Sequence, residues 1–128
     1  SAAMSGYSIF AYIGKTEYPD IAAEMADLLL RIEQIRWTIC MNTYDNQMII
    51  SVRTQNPNGG AEELVKSLAK GIGSAGGHGM MAGGQIPMDS QDPSDLAELL
   101  LKRTLSFLKL SENTKGQLLV DRKLSSLP

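Results

Sequence analysis

The chain has 128 residues, 43% of them hydrophobic, and a formal net charge of −2, which is typical of one globular domain. Its apolar runs fall far short of the roughly 20 residues that a membrane span needs. The acidic balance argues against a protein that grips duplex nucleic acid through a basic surface. The single cysteine and single histidine exclude an internal disulfide and a Cys/His zinc site. We therefore expect a soluble, cytoplasmic protein without membrane association.

The two ends of the chain are predicted to lie outside the domain. The first residues lack an initiator methionine, and we interpret 1–6 as a tag scar and linker. Residues 7–110 are expected to form the domain. The tail, 111–128, has weak apolar content around residues 118–120, which leaves an extra strand or partial disorder as alternatives.

The first elements are a strand and a helix. Residues 7–13 are aromatic and β-branched, as in a strand covered on both faces. A helix then begins near Pro19, and its predicted core face has apolar residues at helical spacing, Ile21, Met25, Leu28 and Ile32. Asp27 and Arg31 are spaced for an i, i+4 ion pair on this helix.

A hairpin is predicted next, because the apolar period changes from helical to two. In residues 35–41 the apolar face alternates with Arg36, Thr38 and Cys40, so Trp37 and Cys40 are expected to have structural roles. After a turn at residues 45–46, residues 47–54 alternate again. Here Ile49, Ser51 and Arg53 share the face opposite Met48, Ile50 and Val52.

The second half of the chain predicts two helices separated by a glycine-rich segment. One helix runs from Glu62 to near Gly71, and the other starts at Pro93 with Asp92 and Asp95 in capping and dipole positions. Residues 85–88 are spaced for a short strand. The resulting order β-α-β-β-α-β-α predicts an α/β (α+β) single domain, with a mixed central sheet of about four to five strands flanked by three main helices.

The glycine-rich segment, residues 71–84, is the chain's compositional anomaly. Paired glycines on either side of His78 permit positive φ and close approach, so their N–H groups and the imidazole suit an oxyanion. A flexible connector explains the glycines equally well. Met80 and Met81 are expected to pack beneath this segment.

Arg53 is the second candidate for anion binding. It is a bidentate donor beside the Ser51 hydroxyl on one strand face, and a phosphate or carboxylate could use both groups. The alternative is a strand-end arginine whose stem lies on the sheet while its charged head is solvated.

Two segments, residues 50–54 and 76–84, resemble the DHH-associated C-terminal domain of the DHH phosphoesterase superfamily in order and spacing. Similar proteins include RecJ-like exonucleases, oligoribonucleases, cyclic-dinucleotide phosphodiesterases and exopolyphosphatase-related proteins. The resemblance implies that substrate phosphate is bound by the residues matching the family motif, Ser51, Arg53, Gly76, Gly77, His78, Gly83 and Gly84. The family often has a lysine after the histidine, where this chain has Gly79-Met80-Met81.

The resemblance also implies which functions this chain lacks. In such phosphoesterases manganese is held by an N-terminal domain with an Asp-His-His motif, and no such motif occurs here. We therefore expect no catalytic residues and no metal ligands in this chain, which would be inactive alone and would bind an oligonucleotide, nucleotide or polyphosphate for hydrolysis by the N-terminal domain. A homodimer is left open. Alanine at Arg53 or His78 is expected to weaken anion binding while nearly preserving the melting temperature.

A binding module is the alternative to a phosphoesterase domain. A similar domain occurs at the C-terminus of alanyl-tRNA synthetases, where the role is RNA contact and dimerisation. The acidic net charge speaks against that role here.

Overall fold

The computed structural model describes the backbone of residues 6–112 and 117–121 and the side chains of residues 6–109. The predicted tag scar lies almost entirely outside the described residues. So do residues 113–116 and 122–128 of the tail. In the described part of the chain, no helix is long and apolar enough to cross a bilayer.

The described part of the chain contains six strands and three helices, in the order β1 (Tyr7–Lys15), α1 (Ile21–Leu29), β2 (Ile35–Tyr44), β3 (Gln47–Thr54), α2 (Ala61–Ala69), β4 (Ser74–His78), β5 (Met81–Pro87), α3 (Pro93–Glu112) and β6 (Gln117–Asp121). The strands form one mixed sheet with the spatial order β4-β5-β3-β2-β1-β6. β1 is parallel to β2 and β6, and the remaining neighbours are antiparallel. The predicted fold class is confirmed, with six strands where four to five were predicted.

Helices cover both faces of the sheet, but unequally. The larger core lies between the sheet and the pair α2 and α3, and it contains the predicted apolar faces of β2 and β3. Trp37 is 2% exposed and meets Phe107 edge to face, so its predicted core role is confirmed. The smaller core lies under α1 and contains Ala22, Ala26 and Cys40. α1 packs on β2 and β3, so it covers only part of its face of the sheet.

The predicted core face of α1 is only partly correct, because the helix is rotated so that Ala22 and Ala26 are fully buried. Met25 still packs against the smaller core, whereas Leu28 is 57% exposed. Ile32, at 52% exposed, lies beyond the helix, which ends at Leu29. Small alanines let the helix approach the sheet closely, and periodicity alone assigned the contact to the larger apolar residues. The expected Asp27–Arg31 pair is also wrong, because Asp27 binds Arg53.

The glycine-rich segment is a hairpin and not a flexible connector. Residues 74–78 and 81–87 pair as β4 and β5, and β5 also pairs with β3. Its tip is fixed from both sides: the Thr54 N–H donates to the Met80 carbonyl at 3.0 Å, and the Ala61 N–H donates to the Gly79 carbonyl at 3.1 Å. The short strand predicted at residues 85–88 is the end of a longer one.

Replacing leucine by alanine should change the free energy of unfolding by different amounts on the buried face of α2 and on the exposed face of α1. Leu64→Ala on α2 empties a fully buried site and should lower the free energy of unfolding by about 2–5 kcal/mol. Leu28→Ala on α1 removes a side chain that is 57% exposed and should change it by less than about 0.5 kcal/mol. Urea unfolding of both variants measures the difference, and equal losses would contradict the rotation of α1.

Candidate functional site

Three rows of side chains cross the sheet on the face that α1 partly covers. Directly opposed residues in antiparallel strands point to the same side, and rows two residues apart are about 7 Å from one another. The Arg53 row contains Thr38, Arg53, Met81 and His78. The glycine row contains Cys40, Ser51, Gly83 and Gly76, and the Gln85 row contains Asn42, Ile49, Gln85 and Ser74.

Two buried polar residues of β2 fix α1 across these rows. The Asn42 side-chain oxygen accepts the Ala22 N–H at 3.0 Å, which supplies a cap at the start of the helix. The Thr38 hydroxyl donates to the Ala26 carbonyl at 2.9 Å, one turn further on. α1 therefore runs from the Gln85 row to the Arg53 row above β2 and β3, and it leaves β5 and β4 uncovered.

Arg53 is buried and ion-paired, so the alternative of a strand-end arginine with a solvated head is wrong. Its Nε donates to the Asp27 carboxylate at 2.7 Å, and its Nη1 donates to the Val52 carbonyl at 3.1 Å and the Ala82 carbonyl at 3.4 Å. The residue is 8% exposed. Its other terminal nitrogen, Nη2, has no hydrogen-bond partner among the described residues, which leaves that nitrogen for a ligand.

His78 lies at the other end of the Arg53 row, beside the anchored tip of the hairpin. It is exposed, and its ring has no partner within the described part of the chain. The near-constant melting temperature that was expected for alanine variants therefore stays a prediction for His78 and is no longer expected for Arg53. Removing Arg53 would empty a buried position and take away the donor to the Val52 and Ala82 carbonyl groups, so that variant should also lose stability.

The four glycines of the predicted site divide between the two faces of the sheet. Gly76 and Gly83 belong to the glycine row, and a Cβ at Gly76 would point into open space. Gly77 has φ +145°, and a Cβ there would lie 2.5 Å from the Ala82 Cα. A Cβ at Gly84 would lie 3.2 Å from a Val65 methyl of α2. The structure therefore brings together Ser51, Arg53, Gly76, His78 and Gly83 on one face, while Gly77 and Gly84 serve close packing.

The two methionines of the hairpin do not pack beneath it, contrary to expectation. Met80 and Met81 are each 52% exposed. Because Met81 belongs to the Arg53 row, its exposed thioether side chain lies between Arg53 and His78 on the open face. It can offer an apolar contact to whatever those two residues hold.

An open cleft of about 480 Å³ lies beside the start of α1. Its floor is the uncovered part of the glycine and Gln85 rows, and its wall is the first turn of α1 with Pro19, Asp20 and Ala23. The glycines make the floor flat, because no side chain rises from Gly76 or Gly83. Ser51 belongs to both the cleft and the face that carries Arg53.

Cys40 is the β2 residue of the glycine row and lies beneath α1. Burial raises the pKa of its thiol to about 12, against the opposing effect of the positive charge of Arg53. The thiol is therefore protonated at neutral pH and is not a nucleophile. Its predicted structural role is confirmed by its full burial.

The described residues contain no group of three or more His, Cys, Asp or Glu side chains that could hold a metal ion. Asp92 has the capping role predicted for it, because its carboxylate accepts the Ser94 N–H at 2.9 Å. A second cleft, of about 500 Å³, lies near Lys15, Asp45 and Asp89, away from the glycine hairpin.

Sequence reasoning missed the polar residues that complete the site from elsewhere in the chain. Only the folded structure shows that Asp27 pairs with Arg53, because 26 positions separate the two residues in the sequence. Asp20, Ser74 and Gln85 line the cleft without belonging to any motif. The alternation of residues 47–54 was an available signal for Ser51 and Arg53, but nothing in the sequence indicated that α1 would cross β3.

Comparison with known proteins now identifies the family. The profile of the DHHA1 domain matches residues 6–109. The chain therefore belongs to the DHHA1 domain family, the DHH-associated domain of the DHH superfamily, as its motifs predicted. Domains of this family normally accompany an N-terminal DHH catalytic domain.

Among solved structures, the chain is similar to the C-Ala domain of alanyl-tRNA synthetase from Aquifex aeolicus. The TM-score is 0.52 at 21% identity, covering 80% of this chain and 90% of that one. This likeness shows the fold alone. Comparison with curated protein sequences gave no significant match.

The Arg53–Asp27 pair predicts opposite effects of one substitution on stability and anion affinity. Asp27→Asn keeps an oxygen acceptor for Nε but removes the carboxylate charge that competes with an incoming anion. Because the Asp27 side chain is 58% exposed, we expect a stability loss of only about 1 kcal/mol. Phosphate affinity should rise roughly threefold, since one repulsive charge near the anion is gone.

Thermal unfolding and a phosphate titration measure these two effects. Glu24→Gln removes the same charge from an exposed position on α1 and is the matched control. If Glu24→Gln raised phosphate affinity as much as Asp27→Asn, the effect would come from the change in net charge and not from the contact between Asp27 and Arg53.

Proposed function

We propose that this chain is the substrate-binding domain of a DHH phosphoesterase and that it holds a phosphate of a nucleotide or related substrate. One observation carries the proposal. Ser51 and Arg53 of β3 share one partly covered sheet face with His78 of β4, which lies 25 positions after Arg53 in the sequence, beside a floor formed by Gly76 and Gly83. A cation, a hydroxyl and an imidazole around a side-chain-free surface suit a bound oxyanion.

In this proposal each side chain has a separate part in phosphate binding. Arg53 supplies Nη2, its remaining donor, while Asp27 and two carbonyl groups hold the guanidinium in place. Ser51 supplies a hydroxyl from the next row, and His78 approaches from the hairpin tip. Gly76 and Gly83 let the phosphate lie close to the sheet, and Gly77 and Gly84 support the site by fixing the hairpin.

The hydrolytic step is assigned to groups outside this chain. A manganese-bearing N-terminal domain would supply the charge stabilisation and the activated water, as the family resemblance implies. The residues of this chain bind and orient the substrate, so we infer that the chain alone is inactive. Asp27 partly neutralises Arg53, and a one-sided cleft leaves much of the ligand in water, so binding by this chain alone should be weak.

The RNA-contact and dimerisation role is not favoured by any feature of the described residues. The likeness to the C-Ala domain concerns the fold, and the net charge of −2 gives little counterion release on a polyanion. A cytoplasmic location and a homodimer stay predictions.

An amide NMR titration of the chain with a 5′-phosphorylated dinucleotide tests the proposal. We expect shifts at Ser51, Arg53 and residues 76–84. His78→Ala should weaken binding roughly three- to tenfold without changing the melting temperature, since it removes one exposed hydrogen bond to an anion.

Arg53→Lys should weaken binding by about tenfold, because lysine lacks the planar donor set. Arg103→Lys is the matched control. Arg103 also donates to two carbonyl groups, at 2.8 Å and 2.9 Å, but from α3 on the opposite side of the sheet. Equal effects of the two lysine variants, or shifts that avoid the Arg53 row, would contradict phosphate binding at this face.

A further inference from the structure

Of the proposed phosphate-binding residues, Ser51, Gly76 and Gly83 line the cleft, and Arg53 and His78 lie one row away from it. From the glycine row the cleft extends along the floor toward the first turn of α1. Ile49 lies four residues before Arg53 on the same strand face, so the Gln85 row is about 13 Å from the Arg53 row. The volume of about 480 Å³ is of the size that small-molecule sites commonly have and is far more than one phosphate fills. The Gln85 end of the cleft is therefore available to another part of the same ligand.

The charge of this end of the cleft is unfavourable to a second phosphate. Among the described residues that line it, none is basic, and the sole ionisable one is Asp20. The partial positive charge at the start of α1 is about half an elementary charge, which does not offset a full carboxylate. A polyphosphate long enough to lie along the floor would place its distal phosphates against Asp20, with no basic residue among the described lining residues to balance them.

The polar groups at this end are instead suited to an uncharged ligand with hydrogen-bond donors and acceptors. Asp20 stands at the N-cap of α1, yet its side chain makes no capping hydrogen bond. The Ser74 hydroxyl and the Gln85 amide also have no hydrogen-bond partner in the described part of the chain. Pro19, Ala23 and Ile49 add apolar surface beside these polar groups.

We propose that this end of the cleft binds the nucleoside of a nucleotide whose phosphate is held by Arg53 and His78. The Asp20 carboxylate accepts hydrogen bonds from N–H or O–H groups of the nucleoside, Gln85 and Ser74 contact its other polar edges, and the heterocycle lies on the glycine floor. This inference rests on the proposed function and narrows it, because it selects nucleotide substrates over polyphosphate.

Three ligands separate the two ends of the cleft in an NMR titration. Adenosine should shift the amides of Asp20, Ser74 and Gln85 and leave the Arg53 row unchanged. Tripolyphosphate should shift the Arg53 row alone, and 5′-AMP should shift both ends. If adenosine at its highest soluble concentration shifts nothing at the Gln85 end, or tripolyphosphate shifts that end as strongly as 5′-AMP, the nucleoside site is overturned.

A second test uses the variant Asp20→Asn. Its control is Glu24→Gln, which removes the same charge one turn further along α1. We expect Asp20→Asn to weaken 5′-AMP binding roughly three- to tenfold, through loss of an ionised acceptor, and to leave tripolyphosphate binding unchanged or stronger. Glu24→Gln should leave both affinities unchanged. Tighter binding of both ligands to Asp20→Asn would overturn the inference, because Asp20 would then act only as a repulsive charge.

The same data separate the two proposals. If phosphate-containing ligands leave Arg53 and His78 unshifted while adenosine binds at Asp20, the phosphate-binding function fails and the nucleoside site stands. If the Arg53 row responds and the Gln85 end does not, the nucleoside site fails alone. Comparing 5′-AMP with its 2′-deoxy form then shows whether the ribose 2′-hydroxyl donates to Asp20.

Discussion

A guanidinium on the inner face of a sheet requires a counter-charge, and Arg53 obtains one from Asp27 at 2.7 Å. This pair connects β3 to α1, which also makes two hydrogen bonds with Asn42 and Thr38 of β2 and packs on the smaller core. Together the three contacts fix how far α1 extends across the sheet. Because α1 reaches no further than β3, the strands beyond it keep an open face on which a ligand can lie.

The same pair reduces the positive charge that the site presents to an anion, because the Asp27 carboxylate partly neutralises Arg53. A free arginine would attract any anion, including chloride and phosphate from solution. With Asp27 on Nε and two carbonyl groups on Nη1, the guanidinium is oriented, and one nitrogen remains unused. Selection among anionic ligands then depends on their other contacts, with Ser51, His78 and the cleft beyond the glycine row.

Much of this arrangement was predictable, because strand periodicity is a strong signal. The alternation of residues 47–54 placed Ser51 and Arg53 on one face, and the motif order identified the family. The core face of α1 was predicted only in part, because a small apolar residue such as alanine counts for little in the helical periodicity, although Ala22 and Ala26 are fully buried against the sheet. The hairpin of residues 74–87 was missed because clustered glycines usually indicate turns and loops. Here the glycines belong to two paired strands, β4 and β5. Asp27 and Asp20 reach the site only through the path of α1, which no local pattern encodes.

The hydrogen bonds at the tip of the glycine hairpin have a consequence for the entropy of binding. Thr54, the residue after Arg53, is joined to Met80, and Gly79 is joined to the start of α2. The separation between Arg53 and His78 is therefore set when the chain folds, and no loop has to become ordered around the ligand. Such preorganisation reduces the conformational entropy lost on association, so even a shallow, partly neutralised site can discriminate by shape.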